Sequence, residues 1–127
     1  MKYGYSKQVN LSFVDAVAKA KAALATAGFG ILTEIDVKAA LQQKLGVDCG
    51  NYVILGACNP PLAYRALQAE KEIGLLMPCN VVVYEDNGGS VVSAILPTVA
   101  MGMVSNPSLA DIAQEGEEKL KRVIDAL

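Results

Sequence analysis

A chain of 127 residues with 53% apolar side chains and a mean hydropathy of +0.34 suits a single domain, 1–127, that can bury a core without disulfides. Its net charge is −2, its pI is about 5.0, and its eleven basic residues are scattered without a stripe, which argues against nucleic acid as a partner. There is no histidine, so Ser-His-Asp or Cys-His nucleophile activation and histidine-ligated zinc, iron or haem are excluded.

In chain order, residues 2–10 read as a first strand carried by Tyr3, Tyr5 and Val9. Ser12 then offers an N-cap, with Asp15 three residues on. Phe13, Val17, Ala20, Leu24 and Ala27 form one face of a helix that Gly28 and Gly30 end. Ile31 to Ile35 is a second strand, with Ile31, Thr33 and Ile35 on one face and Leu32 and Glu34 on the other. Asp36 caps a short helix that turns Val37, Ala40, Leu41 and Leu45 inward and stops at Gly46. Tyr52 to Ala57 is an apolar, central strand that runs through Cys58-Asn59-Pro60-Pro61 into a helix holding Leu62, Ala66 and Leu67. Val81 to Tyr84 and Ser90 to Leu96 make a hairpin across Asp86-Asn87-Gly88-Gly89. Ser108 caps a last helix with Leu109, Ile112, Leu120, Val123 and Leu127 as its buried stripe and Gly116 as an interruption where another backbone comes close. The order predicts an α+β fold, an antiparallel sheet with the long helices on one face and two short inserted helices.

Met1-Lys2-Tyr3-Gly4-Tyr5 leads into polar residues with no apolar core, so no secretory leader is expected. The most apolar stretch, Val91 to Val104, contains Ser93, Pro97 and Thr98 and is too short to span a bilayer, which argues against a membrane partner. The three cysteines, Cys49, Cys58 and Cys79, form no CxxC and suit reduced thiols in the cytoplasm. The apolar surplus suggests a surface covered by another copy of the chain, most simply in a homodimer.

One segment carries candidate chemistry. At Cys58-Asn59-Pro60-Pro61 a strand gives way to a helix almost at once, with Asn59 as N-cap and Pro60 at the first helical position. A cysteine beside a helix N-terminus is placed where thiolate is favoured. An anionic ligand would also suit the place, although two prolines remove two N–H donors. Pro78-Cys79-Asn80 echoes the motif, and if the two strands are neighbours the sulfurs form a pair for redox chemistry or a soft metal. Inert packing of both cysteines is the competing reading, because free cysteine is often a small apolar filler. Arg65 is a candidate for a ligand carboxylate or for an ordinary surface ion pair. Glu34 is a candidate buried acid or an exposed strand residue, and Met101-Gly102-Met103 a ligand-facing or packing segment.

Three ordered stretches, 28–38, 55–63 and 74–84, closely resemble the domain-of-unknown-function family 302, and the resemblance covers nearly the whole chain. It implies a curved antiparallel sheet with a β-α-β4-α core of the TATA-binding-protein-like class, in a bacterial or archaeal cytoplasmic protein that is dimeric. It implies no activity and no cofactor, and a shared fold does not imply DNA binding. The expectation for function is therefore a homodimer that binds a small ligand near Cys58, Asn59, Pro60, Pro61, Arg65, Cys79, Asn80 and Glu34. The alternative is a thiol-based redox, sulfur-carrier or soft-metal protein using Cys58 with Cys79.

Overall fold

A computed structural model describes residues 2–127; Met1, at the head of the segment read for a leader, lies outside the described residues. The elements are β1 (Gly4–Val9), α1 (Phe13–Thr26), β2 (Gly30–Asp36), α2 (Val37–Leu45), β3 (Tyr52–Cys58), α3 (Pro60–Ala69), a 3₁₀ segment (Lys71–Leu76), β4 (Cys79–Asp86), β5 (Gly89–Ile95), α4 (Pro97–Ala100), a 3₁₀ turn (Met101–Met103) and α5 (Pro107–Asp125). The five strands form one open sheet in the order β1-β5-β4-β3-β2, antiparallel throughout, as the sequence led us to expect.

Strand alternation gives that sheet two unlike faces. Val53, Leu55 and Ala57 of β3, Val81 and Val83 of β4, and Val92 and Ala94 of β5 point to one side and are buried. Ala16, Ala20 and Leu24 of α1 and Leu120, Val123 and Ile124 of α5 close over them. The small side chains of α1 let its axis come near the sheet. A second buried cluster joins Leu62 and Ala66 of α3 to Ile73, Met101 and Leu109, Ile112 and Ala113 of α5. The other face carries Tyr52 and Ile54, Val82 and Tyr84, Ser93 and Ile95, and none of these belongs to either cluster. Tyr52 and Tyr84 stack there with ring centroids 5.4 Å apart.

Most local signals hold. Ser12, Asp36 and Asn59 cap their helices by accepting from Asp15 N, Ala39 N and Leu62 N. Asn87 and Gly88 both adopt positive φ, as a two-residue hairpin turn requires. Four expectations need correction. The cap of α5 is Asn106, whose side chain accepts from Ser108 N, with Pro107 at the first helical position. That helix runs unbroken through Gly116, whose missing Cβ faces Leu62 Cδ1 of α3 at 3.6 Å, a side chain and not a backbone. No residue of α2 is buried and Leu45 is 70% exposed, because the main contacts of α2 among the described residues are with β2 and β3 at the sheet edge. In β2 a bulge between Ile31 and Thr33 breaks the alternation, so Thr33 opposes Gly56 and Glu34 opposes Leu55 while Leu32 is left exposed.

Candidate functional site

The two cysteine segments do become neighbours. β3 pairs with β4 so that Ala57 lies opposite Cys79, one residue before Cys58. Gly56, opposite Asn80, makes room for this junction. A Cβ built there would fall 2.1 Å from Thr33 Oγ1 and 2.9 Å from Pro78 Cγ. Any side chain at that position would push both neighbours aside.

Cys58 and Cys79 share the wall of a cavity of ≈ 50 Å³ at the end of the sheet. It lies on the seam between the two buried clusters, with Phe29 and Ala57 from one and Leu62, Ala66 and Ile112 from the other. Met77 and Met101 line it as well, so four sulfur-bearing residues border one small, mostly apolar space. A neighbouring hollow of ≈ 220 Å³ shares Met77, Pro78, Cys79, Pro97 and Met101 with it and reaches Asn80 and Ile95. Cys79 therefore lines both spaces. All three cysteines are free thiols, and Cys49 is exposed.

Burial pushes the Cys79 thiol up to about 11, and the charge of nearby Cys58 adds to the rise. At neutral pH Cys79 is therefore a protonated thiol, and a metal or an oxidant must displace its proton. Asn59 caps α3 with its Oδ1 3.3 Å from Leu62 N and lines the cavity too. Its Nδ2 stands 3.2 Å from the place a Gly28 Cβ would take, so the end of α1 abuts the start of α3. Gly28 holds φ +85 there, where glycine alone is unstrained.

The other residues singled out from sequence are not gathered here. Pro60 and Pro61 are exposed on the first turn of α3 and line none of the cavities described. Arg65 points away and pairs with Glu115 of α5 at 3.1 Å, both side chains half exposed. Glu34 is no buried acid. The bulge turns it to the edge of the helix-covered face, where it pairs with Lys21 of α1. Asn80 is exposed and borders the neighbouring hollow rather than the cavity that Cys58 lines. Met101 faces the cavity, but Met103 is 74% exposed. Sequence reasoning missed Met77, Phe29 and Pro97 as lining residues. Met77 sits two residues before Cys79, and that Met-Pro-Cys run was the available signal.

Among the described residues no group of three Cys, Asp or Glu side chains is placed to hold a metal, so any metal here would need the methionine sulfurs as donors. Among the described residues, too, no helix is long and apolar enough to cross a membrane. An open five-stranded antiparallel sheet with its helices on one face, and a thiol-lined cavity at one end of it, define an α+β protein. The family model described as "Domain of unknown function DUF302" matches residues 5–127, and the chain belongs to that family. It is also similar to a solved structure, that of an uncharacterized conserved DUF302 protein from Bacillus stearothermophilus, with 32% identity, 98% of each chain covered and a TM-score of 0.91. No curated protein matches the chain.

Proposed function

We propose that this is a binding protein whose site is the Cys58–Cys79 cavity, and that its ligand is a soft ion, Cu(I), held by thiolate and thioether sulfur. The observation that carries this reading is the lining: Cys58, Cys79, Met77 and Met101 around ≈ 50 Å³ of mostly apolar space. Thiolate and thioether donors select Cu(I) over harder ions. Size separates this from the binding of an ordinary metabolite. Pockets for organic ligands run to roughly 300–1,000 Å³, and even an enclosed benzene needs about 150 Å³. A single soft ion needs far less. On binding, the two thiols lose their protons to solvent and the ion takes their place, so affinity rises with pH.

The test is an anaerobic titration of the reduced protein with Cu(I) against a chromogenic chelator. The expected result is one ion per chain, near-ultraviolet thiolate-to-copper absorption, and proton release into a weak buffer. Cys79→Ser should abolish tight binding while Cys49→Ser leaves it intact. Failure to take Cu(I) from the chelator would end the metal reading. A melting shift with an organic compound in place of copper would restore the metabolite reading, with the ligand in the larger neighbouring hollow.

Self-association is favoured by a separate observation, the exposed area. The chain exposes 7319 Å². A folded monomer of its 13.3 kDa is expected to expose about 6,500 Å². The excess of roughly 800 Å² is about what one partner contributes to a standard interface. In this reading the chain works as a homodimer, with a complete sulfur cavity in each copy.

A further inference from the structure

A solvent-facing side of an antiparallel sheet ordinarily carries charged and polar residues in alternation with the buried ones. This sheet does not follow that pattern. Its strand residues with ionic side chains are Lys7, Glu34, Asp36, Glu85 and Asp86, and register places all but one of them on the helix-covered side. The exception, Asp86, sits at the hairpin end of β4. The uncovered face has no lysine, arginine or glutamate. Its centre is Ile54, Val82 and the stacked pair Tyr52 and Tyr84, with Ile35 at the β2 edge still 49% exposed. Loss of charge at the centre with enrichment in tyrosine marks an interface core, not a wetted surface.

We propose that this uncovered sheet face is where a second copy of the chain docks, face to face about a twofold axis. The proposal deepens the self-association reading above and rests on it. Three features favour a second copy over any other occupant. A phosphate backbone is ruled out by the lack of any cation on the face. An isologous contact sets each residue against the same patch on its partner, so a face whose one ionic strand residue, Asp86, lies at the hairpin end meets itself at its centre without like-charge repulsion. The excess exposed area, roughly 800 Å², matches one side of a standard interface. The product is a sandwich of two sheets about 10 Å apart, with helices on both outer surfaces.

Sedimentation velocity of the reduced full chain, over a micromolar dilution series, tests both levels. The expected result is a dimer for the wild type and a folded monomer for Ile54→Lys, with dimerisation weakened at least about 100-fold, because the twofold buries two unpaired ammonium groups. Val14→Lys changes an exposed apolar residue of α1 on the other side and should stay dimeric. A monomeric wild type overturns the self-association reading and this proposal together. A dimeric wild type with a dimeric, folded Ile54→Lys overturns the face alone and points to pairing through an edge strand. Should Ile54→Lys fail to fold, Ile35→Lys replaces it, since that side chain is already half exposed. Hydroxyl-radical footprinting of the wild type gives the same decision without a variant. Tyr52 and Tyr84 should be protected as concentration rises, and equal labelling throughout would refute the face.

Discussion

Replacing Cys79 with alanine should flatten the alkaline side of the stability curve. The native thiol titrates at about 11, against an ordinary 9.0. Below pH 9 both folded and unfolded chains keep this proton, and the contribution of Cys79 is intact. As pH rises from 9 towards 11 the unfolded chain loses the proton and the native chain keeps it. The native state then binds more protons, so unfolding free energy falls with a slope approaching 1.4 kcal/mol per pH unit, by about 2–3 kcal/mol in total. That figure is a ceiling, because the side chain keeps some contact with solvent. Cys79→Ala loses the sulfur's packing, about 1 kcal/mol at neutral pH, but escapes the alkaline loss. Urea unfolding of both proteins under reductant, from pH 8 to pH 11, should show the wild-type advantage shrinking and then reversing. In a Cys58→Ala background the reversal should be smaller, since part of the rise comes from the Cys58 charge. Parallel curves for wild type and variant would refute both the buried thiol and its coupling to Cys58.

Three further substitutions probe the junction around the cavity. Gly56→Ala should cost about 1–3 kcal/mol by forcing Thr33 and Pro78 apart, and Thr33→Ala should recover part of that loss in thermal melts; equal losses with and without Thr33 would contradict the close approach. Asn59→Ala removes the cap of α3 and should cost about 1 kcal/mol in urea unfolding, with no loss expected only if Leu62 N–H finds another acceptor. Arg65→Ala breaks a half-exposed ion pair, so stability should change by less than about 1 kcal/mol and copper uptake not at all; loss of uptake would put Arg65 back in the site.

Local chemistry written in short runs of residues was legible in the sequence. The caps at Ser12, Asp36 and Asn59 and the Asn87-Gly88 turn each depend on a few adjacent positions, and each is where it was expected. The same logic applied to Asn106-Pro107 would have found the true start of α5, since it repeats the Asn59-Pro60 signal. What depends on partners far along the chain was not legible. The bulge that reassigns Glu34 answers to Leu55 and Gly56 on the next strand, not to its own neighbours. The fate of Arg65 was decided by Glu115, fifty residues away. Of the site, the meeting of Cys58 with Cys79 followed once β3 and β4 were taken as neighbours. The contribution of Met77 and Met101 needed the helices in place, because the cavity they line lies where two apolar clusters abut.

The strand order has a consequence for how the chain is made. The first two strands synthesised occupy the two outer edges, and Gly4 of the first finds its partner only at Ile95 of the last. Everything between must emerge before that pairing can close, and closing so long a loop is entropically slow. Until then β1 is an unpaired ribbon, whereas β2 can pair with β3 as soon as that strand follows it. The central hairpin of β4 and β5, joined by the two-residue Asn87-Gly88 turn, is the natural seed around which the earlier segments are later collected.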